Sequence, residues 1–291
     1  VARKAELDQK SENTHDHTGE HIKPAKTETG DIFFTDDVLV IGQGASDGGY
    51  ENVTVLGRNA EAGGIGSVVI GNNADASSSN TVAVGQEANA DAAATVAIGS
   101  NADALGSFSY ALGGQARSIY SIAIGESSEV SDRESISIGH STFAGGSASV
   151  ALGEKADTGT GDDSVAIGHD ATTSAQDAIA LGWLAESTSL AGISIGRGTT
   201  TAAQGAIALG IDAEALGAGS VAIGDGALAQ RDGEAHINCD QLRFGADTET
   251  VSDQDLREGE MTVGANESAS QFEITYKDSG GNIQTGSIQF D

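Results

Sequence analysis

The segments Ser164-Val165-Ala166-Ile167-Gly168 and Ala178-Ile179-Ala180-Leu181-Gly182 carry one pattern, aliphatic, small, aliphatic, glycine, and that pattern decides the fold. Outward from it in both directions the glycine recurs at Gly42, Gly57, Gly71, Gly85, Gly99, Gly113, Gly125, Gly139, Gly153, Gly168, Gly182, Gly196, Gly210 and Gly224, fourteen times in all. The interval is 14 residues, except for 15 at the first step, 12 between Gly113 and Gly125, and 15 between Gly153 and Gly168. A fixed period of this length marks a structure assembled from stacked, near-identical units.

Apolar residues two apart share one face of a strand, so each tetrapeptide reads as a short strand with its large residues turned inward. Three residues after the glycine stands Ala in eleven copies and Ser128, Thr142 or Thr199 in the others. Two positions on comes another small residue, as in Ala74-Asp75-Ala76 and Ala213-Glu214-Ala215. This is a second short strand with small groups inward and Asp, Asn or Glu outward. Fourteen residues also equal two heptads, but a coiled coil fails on residue type. Regular glycine, β-branched residues at spacing two and runs such as Asp75-Ala76-Ser77-Ser78-Ser79-Asn80 all oppose a helix.

The fold class is therefore all-β, a solenoid whose coils of strand, glycine turn, strand and loop stack at ~4.8 Å. One side of a coil offers Val and Ile and the other only Ala, so a single chain cannot cover its own apolar surface. Packing of copies around a threefold axis supplies the cover. Such a trimer is expected to bury Val96, Ile98, Val150, Leu152, Ile179, Leu181, Val221 and Ile223.

Composition agrees with a repetitive rod. Aromatic residues make up 4% of the 291 residues, too few for an ordinary globular core, while Gly numbers 41 and Pro one. A formal charge of −29 repels nucleic-acid phosphates and anionic headgroups, so neither nucleic acid nor membrane insertion is expected. The acid is spread along the chain and Lys is rare, which suits a high-salt medium that screens self-repulsion. Cys239 is the one cysteine and allows no intrachain disulfide. The first ten residues lack the apolar run of a signal peptide, so the expectation is either a fragment of a surface protein or a component delivered by assembly, as in a virion.

The copies quoted above, with Ser220-Val221-Ala222-Ile223-Gly224-Asp225-Gly226-Ala227, resemble the head repeats of trimeric autotransporter adhesins of the YadA type over residues 38–230. The resemblance implies a left-handed parallel β-roll, a homotrimer and binding to surfaces. Residues 1–37 are polar and contain Thr14-His15-Asp16-His17-Thr18-Gly19-Glu20-His21. That stretch is similar to the N-terminal segment of tail fibre and spike proteins of tailed viruses, where His-x-His holds a metal on the threefold axis. His15 and His17 would point to one side of an extended strand, and three chains would bring six imidazoles together for a structural iron or zinc ion. A flexible hydrophilic arm with solvated histidines explains the same residues. Residues 231–291 leave the repeat, and Gln271–Tyr276 and Ile283–Phe290 alternate around a glycine-rich turn, giving a β-hairpin and a small C-terminal β cap.

Little else carries chemistry. Asp75, Asp103, Glu129, Asp157, Glu186 and Glu214 recur at one outward register and read as a solvated acidic ridge, since catalytic carboxylates need one special environment. Phe143 and Trp183 are placed to stack on a sugar or a host protein, or to pad a subunit interface. The sum is not an enzyme but a homotrimeric tail fibre or spike subunit of a virus, its host a halophile. Its N-terminus would join virion tail or baseplate proteins, and its rod would meet a host receptor or glycan. The alternatives are a cell-surface adhesin head fragment and a purely architectural virion spacer.

Overall fold

A computed structural model describes residues 31–34, 37–238, 261–266, 271–277 and 282–289. They fall into two compact units, residues 1–238 and 239–291. Among the described residues all regular structure is β, and the first unit is a parallel β-solenoid.

The repeat glycines close a ladder of short strands such as Val96–Ile98, Tyr110–Leu112 and Ile122–Ile124, each hydrogen-bonded in register to the equivalent strand one coil away. The ladder is one sheet of 16 strands. Its first member, Asp31–Phe34, runs antiparallel to Val38–Gly42 and caps the sheet edge, as an exposed edge requires. Its last member, Ala235–Ile237, lies one coil beyond the final glycine. Two-residue strands such as Asp75–Ala76 and Glu129–Val130 form the opposite wall, a sheet of seven and a sheet of five joined through bridges at Asp157.

The inside of the coil differs from the sequence expectation. In Val96-Ala97-Ile98 it is Ala97 that is fully buried, while Val96 is half-buried and Ile98 is exposed. The same inversion holds at Ala111, Ala123, Ala151, Ala166, Ala180, Ala208 and Ala222, all fully buried. The reason is width: the opposite wall also turns Ala, Ser or Thr inward, with Val130 the one larger residue, and two facing rows of small groups leave no room for Ile. The first coils, which bury Val40, Val55 and Val69 instead, are the exception.

Glycine is required at the turn on two counts. Gly182 has φ +143°, and a Cβ there would overlap the Gly196 carbonyl of the next coil; the same close approach recurs from Gly42 to Gly224, except around Gly99 and Gly113. Two residues on, the chain takes φ near +55° at Asn59, Asn73 and Asn101, a conformation asparagine tolerates better than most residues. At the other corner a column of buried hydroxyls ties the turn. Ser67, Thr81, Thr95 and Ser164 each donate to the carbonyl three residues earlier at 2.7–2.8 Å. These bonds satisfy carbonyls that the narrow interior would otherwise strand. From Ser187 to Thr201 the alanine core gives way to a hydroxyl network, with Thr201 Oγ1 donating to Ser187 Oγ at 2.8 Å and Ser194 Oγ to the Glu186 carbonyl at 2.6 Å.

In the second unit, Met261–Asn266, Gln271–Lys277 and Ile283–Gln289 form an antiparallel three-stranded sheet, with the expected hairpin as its second and third strands.

Candidate functional site

Because the interior takes only small groups, the large aliphatic residues of the repeat lie on the outside of the long sheet in two columns. One runs through Val82, Val96, Tyr110 and Ile122, the other through Val84, Ile98, Leu112 and Ile124. Of the eight residues expected to be buried, Val96, Val150, Ile179, Leu181, Val221 and Ile223 are half-buried in the single chain, and Ile98 and Leu152 are exposed. The isolated coil therefore does not bury them; it presents them as one continuous apolar wall.

The opposite wall is charged in an ordered way. Its outward column reads Glu61, Asp75, Asn89, Asp103, Gln115, Glu129, Phe143, Asp157, Thr172, Glu186, Thr200, Glu214, Leu228, so from Asp75 onward each acid is followed by a neutral residue. From Asp75 onward neighbouring carboxylates of the column are thus two coils, about 9.6 Å, apart and their repulsion is weak in salt. Asp103 is held above the usual carboxylate range by burial, offset by a hydrogen bond with Asn89 and the charge of Arg117. Arg117 pairs with Glu129 and Gln115, and Gln115 Nε2 donates to Asp103 Oδ2 at 3.4 Å.

This polar group borders a notch in the rod. At the 12-residue interval the two turn residues that normally follow the glycine are missing, and Ala116 pairs with Ala104 and Val130, which places it at the fifth position after the glycine instead of the third. The gap leaves a cleft of about 670 Å³, floored by Gly113 and Gly114 and walled by Ser100, Asn101, Glu126 and Ser127 of the adjoining coils.

The two aromatic candidates behave differently. Trp183 lies at a turn corner, 50% exposed, beside Leu184, which is 48% exposed at φ +56°. Arg197, one coil away, sits 6.0 Å from the indole centroid and pairs with Asp212 at 3.6 Å. On the other side His169 contacts Asp170 at 2.8 Å and Glu154 at 3.7 Å. This is an apolar platform flanked by charge. Phe143 is half-buried with its ring lying over the backbone at Gly145, where a Cβ would strike it. It covers its own chain. Among the described residues no cluster of three or more His, Cys, Asp or Glu could hold a metal ion. His15 and His17 lie outside the described residues.

Arg197 and the notch were within reach of sequence reading, since Arg197 follows Trp183 by one period and the short interval marks the lost turn. The stacked pair Phe108 and Tyr120, with centroids 5.2 Å apart and planes at 13°, escaped notice because their column elsewhere holds Gly, Ala, Asn, Asp or Glu.

The YadA head domain repeat family matches at residues 54–74, 76–102, 116–142, 160–185 and 202–227. The collagen-binding domain of the Yersinia adhesin YadA is similar at 22% identity, over 66% of this chain and 77% of that one, with a TM-score of 0.23. No curated protein matches the chain.

Proposed function

From a rod built of YadA head domain repeats, we infer that this chain is one subunit of a homotrimeric attachment protein displayed outside the cell or on a particle. The observation that carries this reading is the apolar wall. Fifteen parallel strands, each about 10 Å wide, stack at ~4.8 Å into an aliphatic surface of about 700 Å². That exceeds the largest apolar patch of a typical monomer and approaches one side of a standard interface. Three copies around an axis cover it with one contact repeated, and leave the acidic walls in solvent.

The finer assignment is a tail fibre or spike of a virus, joined to its tail or baseplate through residues 1–37 and meeting a host receptor or glycan along the rod. Support comes from the His15-Asp16-His17 arm and from the acid excess, which suits a halophilic host. The Trp183 platform is the best-placed receptor contact. The head repeats themselves favour a second reading, a cell-surface adhesin.

Light scattering of the purified full chain tests assembly, with a trimer mass expected at micromolar concentration and a monomer refuting it. Ile167 stands on the wall, half-buried in the single chain, so Ile167→Asp should leave the β-type circular dichroism intact and abolish the trimer. Labelled protein applied to candidate host cells tests attachment, and Trp183→Ala should weaken it.

A further inference from the structure

The apolar wall has a difficulty that the repeat itself creates. Its columns hold Val, Ile or Leu in nearly every coil, and hydrophobic contact is non-directional. A copy displaced along the rod by one coil would exchange Val for Ile or Leu and lose only the contacts of an end coil. Swaps of that kind cost little. The wall holds copies together but specifies their axial register weakly, the same weakness that lets featureless strands slip.

Two residues within the rod break the uniformity of the column, Thr54 near its first end and Tyr110, and only Tyr110 is larger than the aliphatic residues around it. Tyr110 occupies the column that Val96 and Ile122 continue on either side, and it is 47% exposed. Two residues before it Phe108 stands at the corner of the same coil, 50% exposed, stacked on Tyr120 of the next coil, 55% exposed. Six aromatic residues lie between residues 38 and 238, and these three fall within two adjoining coils. They frame the shortened interval, which occurs once.

We propose that Tyr110, with the Phe108–Tyr120 stack, is a register key at which copies of this chain lock to one another. The proposal rests on the homotrimeric reading above. In a parallel threefold assembly in register, the three Tyr110 side chains meet at one height, where their hydroxyls, each donor and acceptor, can satisfy one another. Displacement by one coil drives each ring against a Val or Ile site and buries the hydroxyl without a partner. Both are penalised, the first by overpacking and the second by desolvation. A single polar position fixing register on an otherwise uniform apolar seam follows the same logic in coiled coils.

Disulfide trapping in the full-length protein tests this, with Cys239→Ser as background. Chains carrying Val165→Cys are co-expressed with chains carrying Ile193→Cys, positions two coils apart in one column, the offset that arises between the first and third chains when each is displaced one coil from the last. With the key intact, Val165→Cys should link to itself, and mixed products should be rare. With Tyr110→Val, Phe108→Ser and Tyr120→Ser combined, the trimer mass should persist and the mixed product should rise about tenfold or more. Tyr110→Phe alone keeps the ring and should give an intermediate rise. A triple variant that stays trimeric with mixed product as rare as before overturns the key. So does a triple variant that is monomeric yet folded, since the patch is then a source of affinity and not of register. A monomeric parent chain refutes the homotrimeric reading instead, so the two failures are distinguishable.

Discussion

Glycine-to-alanine substitution separates the two demands that the coil makes on its backbone. Gly219 has φ +62° with nothing within 4 Å of a Cβ placed on it. At the same position in other coils Ala94, Ala148 and Ala191 adopt φ of +57°, +53° and +54°. Gly219→Ala therefore meets conformational strain alone, about 1–2 kcal/mol per chain. Gly182, at φ +143°, adds to a strain of about 1–3 kcal/mol a methyl group driven into the Gly196 carbonyl. Relief requires the strands Ile179–Leu181 and Ile193–Ile195 to part, which breaks bonds such as Gly196 N–H to Leu181 O at 2.8 Å. With overpacking of about 1–3 kcal/mol the total is about 2–6 kcal/mol per chain.

At roughly 2–4 °C per kcal/mol for a domain of this size, Gly219→Ala should lower Tm by about 2–8 °C and Gly182→Ala by about 4–24 °C, the larger loss of the two. Hydrogen exchange locates the damage, because stability in a solenoid is a sum of coil and neighbour terms. Amides of residues 179–196 should lose protection in Gly182→Ala while those of the first coils keep it. Equal losses in the two variants, or a uniform loss of protection along the rod, would refute the argument that inter-coil contact fixes the glycine.

Asp103 carries a pH signature. Burial raises its folded pKa above the unfolded value, so ionisation costs stability as pH rises between the two, and Asp103→Asn should be slightly more stable at neutral pH, with the gain vanishing below the carboxylate range. Melting at graded pH checks it, and a gain that persists in acid would contradict it. Salt should raise the melting temperature of the assembled protein, since residues 38–230 hold 21 acids against five basic residues and the Debye length falls from roughly 30 Å at 0.01 M to 3 Å at 1 M. An unchanged Tm between those salts removes the halophile argument. For the N-terminal arm, metal analysis of untagged protein should find one iron or zinc ion per trimer, lost in the His15→Ala, His17→Ala double variant and on acidification through the histidine range. Metal-free protein of full trimer mass rejects that site.

The sequence made the coil legible because its period is set by geometry that only glycine satisfies. Where that geometry lapses, the reading lapsed too. Asn238 stands one period after Gly224 and follows the last strand of the ladder, without the glycine that marks the other coils. Ala116 looked like an ordinary third-position residue, yet strand pairing shows that two turn residues are gone before it. A count of intervals reveals a deletion without saying where it falls. Period-two alternation likewise identifies two faces of a strand but not which is inside. That depended on the partner wall, whose Ala74, Ala76, Ala88 and Ala90 were already visible as small. At the aromatic corner the positions of Phe108 and Tyr120 were legible from the period, while their stacking and exposure required coordinates.

The inverted coil explains why this composition and this assembly belong together. An interior of alanine buries too little apolar area per residue to hold a long chain in one register by itself, and backbone ladders and hydroxyl bonds to turn carbonyls do much of the work instead. The valine and isoleucine that an ordinary fold would spend on its core are free to form a wall. Carboxylates cannot share that wall without desolvation, and they lie at the turns and on the opposite wall, where from Asp75 onward they alternate with neutral residues. Each coil thereby carries an adhesive side and a solvated side at a fixed angle. Stacking identical coils makes both sides continuous, and lengthening the rod extends the interface without altering any contact within it. Only a defect in the repeat can tell one height from another, which gives the single shortened coil and its aromatic corner a value that no regular copy has.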